Sequence, residues 1–246
     1  MRFRSMNPVI RHQSKMGAYE GEHAATYSGV ISKSAFLLAI TFMFGGLSMW
    51  RLMEHGVITG GIAVLIIAPI VAFISVIVAM YKPHLASYFS IVYAICQGTV
   101  LGVISGMYEL VFQDQIVLTA LVATFSVFAG MLFLFSTGLF RVSDMLRKVL
   151  FTALLGIIIT SLFLMIFRLT GVFTFEQMEG LIFAIVIISV IVASLFLMVD
   201  FDRIQQSVQA GVEKHYEWVL SLGLLVTLVW LYIELLRLIA LLRNRR

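Results

Sequence analysis

The chain has 246 residues, of which 61%, roughly 150 side chains, are apolar, while only 17 are basic and 13 acidic. A soluble domain is about half apolar and a quarter charged, so this chain has about half the charge needed to cover a water-facing surface, which excludes an ordinary soluble fold. The net charge of +4 does not indicate nucleic acid, because cytoplasmic loops of membrane proteins collect Lys and Arg and no basic patch here is interleaved with aromatics in a polar domain.

Residues 1–30 are polar and lack the apolar core of a signal peptide, so the N-terminus is expected to stay on the chain and on the cytoplasmic side. Against a template of about 20 apolar residues per span, seven runs follow: 34–52, 57–80, 86–108, 115–140, 149–167, 178–199 and 218–242. The breaks between them are short, which makes neighbouring spans antiparallel members of one bundle. The pattern predicts an all-α polytopic membrane protein: a polar cytoplasmic segment 1–32, a seven-helix transmembrane domain 33–242 and a basic tail 243–246. With the N-terminus inside, eleven Lys and Arg fall on the inner side and six on the outer, as the positive-inside rule expects. The tail, Arg243 to Arg246, goes against that rule, so either seven crossings place it outside or the last segment is re-entrant.

Within the spans, Pro69 predicts a kink in the second. The third carries Ala94, Gly98, Gly102 and Gly106 at four-residue spacing, a small-residue face that lets another helix approach closely. Trp50, Tyr81, Tyr88, Tyr108, Tyr216 and Trp218 lie near span ends, as interfacial anchors do. Cys96 is the only cysteine and forms neither a disulfide nor a multi-cysteine metal site.

An enzyme is not expected. All five histidines (His12, His23, His55, His84, His215) lie outside the apolar runs, which removes a buried Ser–His dyad or a His-ligated metal in the membrane. No His-Glu-x-x-His, phosphate-binding glycine loop or Gly-x-Gly-Asp sequence occurs. What remains is acidic: Asp200 and Asp202 at the end of the sixth run and Glu234 well inside the seventh. A carboxylate at membrane depth costs at least about 2.5–3.5 kcal/mol unless it is protonated, paired or facing a polar cavity. Glu234 reads either as a partner of Arg237, one turn on, or as a proton or cation site. Asp200 and Asp202 are about 200° apart on a helix. They read either as span-ending acids with Arg203 as local partner, or as an inward Asp200 in a titrating gate beside a solvated Asp202. Glu213 and Glu217, four residues apart, are expected to be solvated, with Glu217 also suiting the positive end of the last helix.

At these residues the chain resembles the Bax inhibitor-1 (transmembrane Bax-inhibitor-motif, YccA-like) family, its bacterial branch with an extended N-terminus, over residues 33–242. The most specific stretches are Val199-Asp200-Phe201-Asp202-Arg203-Ile204, Tyr216-Glu217-Trp218 and the closing run from Leu228 to Arg237. The resemblance implies six helices around a central, polar seventh, and a pH-sensitive calcium leak in a bacterial cytoplasmic membrane. It also implies a gate in which an acid on the sixth span meets an aspartate on the seventh. Asp200 matches the first; Thr227 stands where the second is expected, and Glu234 is about 10 Å further along the axis. The gate would then use Asp200 with Asp202, which would also hold calcium, or Glu234 separately; Arg203, Arg237, Thr227 and Glu217 are candidate partners. No cofactor is expected besides transported or bound calcium. Two other functions stay open: a stress regulator that binds a membrane protein such as a quality-control protease through residues 1–30, and a proton-coupled transporter.

Overall fold

The computed structural model describes residues 24–56, 61–112, 115–138, 142–170 and 175–244. They form seven long helices: α1 (Tyr27–His55), α2 (Val64–Tyr81), α3 (Ala86–Phe112), α4 (Ile116–Ser136), α5 (Asp144–Thr170), α6 (Phe175–Gln209) and α7 (Tyr216–Asn244). A 3-10 turn, Pro83–Leu85, leads into α3. Each of the seven is long and apolar enough to cross a membrane, and an isolated bridge between Ala24 and Glu213 is the extent of β-pairing among the described residues. The protein is a multi-pass integral membrane protein whose surroundings are a lipid bilayer. Residues 1–23 and 245–246, and with them most of the proposed docking segment and the end of the basic tail, lie outside the described residues.

The helices outrun the apolar stretches that announce them. Hydropathy marks the hydrocarbon layer, whereas a helix ends where its last backbone groups find caps or a turn. α1 begins at Tyr27 because the Thr26 hydroxyl accepts the Gly29 N–H at 3.0 Å, and it stops at Gly56, whose φ of +63° suits a residue without a Cβ. α6 continues to Gln209, so Asp200 and Asp202 are interior residues of a helix, and neither ends it. α7 is one unbroken helix of 29 residues, about 43 Å long at 1.5 Å per residue, which fits a full crossing and not a re-entrant loop.

α3 and α1 make the closest helix contact. The small residues of α3 face α1: a Cβ on Gly98 would stand 2.6 Å from the Thr41 carbonyl oxygen, and one on Gly102 would collide with the Gly45 carbonyl. Gly106 fits beneath Leu52 in the same way. Without a hydrophobic drive in lipid, such backbone approach is what holds two spans together. α7 is the hub, packing on α1, α3, α4 and α6 and touching α2, with Leu222, Leu225, Leu231 and Leu236 almost fully buried. α5 rests on α6 alone by backbone packing; its side chains reach toward α7 in two clusters, one of Leu150, Val192, Phe196 and Val199 covered by Trp230 and one in which Leu164 and Phe167 pack with Ile182, Val186 and Leu241. The starts of α1, α3, α5 and α7 share one end of the bundle. There the Ala25 N–H donates to the Val212 carbonyl at 2.8 Å, the His84 and His215 rings meet at 4.9 Å, and Arg147 pairs with Asp202.

Candidate functional site

Long-lived polar groups inside a lipid-embedded bundle must satisfy one another, and the α6–α7 contact holds two such places. In the first, Asp200 of α6 is 7% exposed and accepts the Thr227 hydroxyl at 2.5 Å. Thr227 has a second acceptor, the Gly223 carbonyl one turn back at 3.3 Å. A hydroxyl is both donor and acceptor, so the bond survives either state of the acid. Ionised Asp200 accepts from Thr227, and neutral Asp200 donates to it while the Thr227 proton turns to Gly223. Two carboxylates facing each other would instead share one proton. Thr227 therefore occupies the position across from Asp200 and provides a contact of different chemistry.

In the second place, Trp230 Nε1 donates to Glu234 Oε1 at 3.4 Å, a long bond. Glu234 Oε2 and the hydroxyl of Ser189 on α6 are both buried, and Ser189 faces the Glu234 carboxyl. No ion pair joins Glu234 to Arg237 among the described residues, so of its two readings the one-turn pair is not formed, and the acid bonds Trp230 instead. Between the two polar places the interface is dry. Leu197 and Leu231 are fully buried, and the Phe196 ring meets Trp230 edge-on at 5.9 Å.

Asp202 does not join Asp200. Its carboxylate pairs with Arg147 of α5 and accepts the Gln206 amide at 2.9 Å, while Asp200 points to α7. The two acids are thus bonded to different helices, and among the described residues no group of three or more His, Cys, Asp or Glu stands together. Arg203, expected as the local partner, is exposed; the guanidinium that Asp202 finds belongs to another helix.

Glu217 departs furthest from expectation. Instead of being solvated it is 1% exposed, and its carboxylate is held by α1. Lys33 pairs with Oε2, and Oε1 accepts the Thr26 N–H at 2.8 Å and the Thr26 hydroxyl at 3.1 Å. Lys33 also lies over the Trp218 ring, 5.5 Å from its centre, a cation–π placement. Ser221 completes the clasp by donating to the Val30 carbonyl at 3.0 Å. Gly29 is what admits the carboxylate, because a Cβ there would overlap it. Ten residues, about 15 Å of helix, separate Glu217 from Thr227, so it is no partner of Asp200. Lys33 and Thr26 were not singled out by sequence; a lysine at the edge of the first span and an acid opening the last helix were the available signal.

A bundle of seven crossing helices with a buried acid on its central contact is a polytopic membrane protein. The Bax inhibitor 1 like family model matches residues 7–244, nearly the whole chain, and the protein belongs to that family. No curated protein matches it.

Proposed function

We propose that the protein is a proton-controlled cation leak of a bacterial cytoplasmic membrane, calcium being the ion by family resemblance, and that it has no enzymatic activity. The observation that supports this is Asp200, buried against α7 with the Thr227 hydroxyl as its hydrogen-bond partner. An ionised carboxylate in a dry interface requires water or a cation beside it, whereas the neutral acid does not. The described arrangement, with Leu197 and Leu231 sealed below Asp200, fits a closed state in which an apolar constriction bars ions. Loss of the proton would draw water into the α6–α7 contact and open the path, so the leak rises with pH. The end that carries Lys33, Lys82, Arg147, Lys148, Arg203 and Lys214 faces the cytoplasm on the positive-inside rule.

Calcium flux into proteoliposomes, measured between about pH 6 and 8 where small environmental shifts move titrating groups, tests the reading. Flux should grow across that window, Asp200→Asn should flatten the profile, and Asp200→Glu should restore its slope. Flux equal to that of empty liposomes at every pH overturns it. A second reading, a regulator that docks another membrane protein, draws support from the clasp, since Thr26 at the base of the N-terminal segment is bonded directly to α7. Deleting residues 1–23 should then abolish capture of the partner and leave flux intact; capture that survives the deletion counts against it.

A further inference from the structure

α1 and α4 stand side by side over α7 without packing backbone to backbone, and the gap between them holds two cavities. The outer, of about 320 Å³, is lined by Ser34, Leu38, Phe128, Leu132, Phe201 and Leu228 among others. The inner, of about 180 Å³, shares Leu38 and Leu228 and continues past Thr41, Gly46 and Tyr232. Both open toward the lipid-facing surface, where Ile31, Phe42, Phe125 and Leu132 are exposed.

The two differ in their polar groups. In the inner cavity every hydroxyl is occupied: Thr41 donates to Leu37 at 2.9 Å, Thr124 to Ala120 at 2.7 Å, and Ser105 and Tyr232 bond each other at 2.6 Å. Only hydrocarbon suits such walls. The outer cavity presents one buried unanswered group, while Tyr27 at its edge is exposed. Ser34 is 7% exposed and its hydroxyl has no hydrogen-bond partner. A helical serine ordinarily bonds the carbonyl one turn back, but here that carbonyl, Val30, already accepts from Ser221. Ser34 also begins the first apolar run, about 12 Å along α1 from its cap, where the polar boundary of a bilayer gives way to hydrocarbon.

We infer that the α1–α4 groove binds a bilayer phospholipid, with an acyl-ester carbonyl accepting the Ser34 hydroxyl and the chain lying along Leu38 and Leu228 into the inner cavity. The Phe42–Phe125 stack at 5.9 Å bridges α1 and α4 across the mouth, and a helix about 10–12 Å across does not fit beneath it, while a single hydrocarbon chain does. The occupant touches Phe201 and Leu228, the chain neighbours of Asp200 and Thr227, but the binding itself stands whether or not the protein conducts ions.

The test uses the full chain in phosphatidylcholine vesicles containing a trace of phosphatidylcholine with a photoactivatable diazirine in one acyl chain, with labelled residues read by peptide mass spectrometry. Labelling should concentrate on groove residues such as Leu38 and Leu132, several-fold above the lipid-facing residues Leu155, Ile158 and Leu162 of α5. Ser34→Ala should lower the groove labelling roughly fivefold, the usual worth of one hydrogen bond. Gly46→Phe, at a position where a Cβ meets nothing within 4 Å, should remove labelling of the inner cavity while helix content stays unchanged by circular dichroism. Even labelling over α4 and α5 overturns the site. Groove labelling that ignores Ser34→Ala, or that a diazirine alkane without an ester reproduces, overturns the assignment of a phospholipid ester.

Discussion

Thr227 and Glu217 show how much a single side chain decides in a bundle with so little charge. At Thr227 the hydroxyl matters and the methyl does not, so Thr227→Ser should keep the parental pH profile of calcium flux. Thr227→Val, which leaves Asp200 without its bonded partner, should change that profile; an unchanged one means the contact has no part in gating. At Glu217 the carboxylate answers three groups of α1, and removing one member of a buried pair leaves the other uncompensated. Glu217→Gln should therefore cost about 3 kcal/mol or more, read as a lower thermal unfolding midpoint in detergent. The sequence made Asp200 visible because a charge beside an apolar run stands out. It hid Glu217, because hydropathy treats an acid at the head of a helix as solvated and gives no sign of Lys33, 184 residues away in the chain.

Between elements, contacts are set by what lets backbones approach. The face of α3 built on Gly98 and Gly102 leaves no room for a methyl group toward α1, while Gly46 on α1 has open space around its Cβ position. Gly102→Ala should accordingly push the two helices apart and destabilise by about 1–3 kcal/mol, as overpacking does. Gly46→Ala should be neutral or stabilise by up to about 1 kcal/mol from helix propensity; parallel unfolding curves for the pair check both. The four-residue spacing was legible as a packing face, but the partner helix was not, since spacing gives a face and no address. The ends of the helices were legible only as hydrocarbon boundaries. This is why Asp202 read as a terminator, when it sits mid-helix and reaches Arg147 of α5.

Taken whole, the bundle is unevenly held. α7 is packed on by most of its neighbours, whereas α5 is mostly lipid-facing and rests on α6. The Arg147–Asp202 pair is a polar tie for α5 at its starting end. A double-mutant cycle on Arg147→Gln and Asp202→Asn should give a coupling of about 1 kcal/mol, the upper range for a partly exposed pair; a coupling near zero shows that α5 is held by lipid and its apolar packing alone. Seven crossings and their antiparallel order were readable from composition, because lipid leaves helices few alternatives. Which helix stands at the centre was not readable from hydropathy, since every span is apolar and centrality depends on which faces meet.

The clasp between Lys33 and Glu217 also bears on how the chain is made. The residue that answers Lys33 is synthesised after the six helices that precede it, and so is the helix on which the others close. Six spans enter the membrane before their common neighbour exists, and the first keeps an unmatched lysine at its edge until the seventh arrives. A nascent chain stopped before residue 216 thus ends as six inserted helices around an unfilled centre, with assembly deferred until the seventh is made.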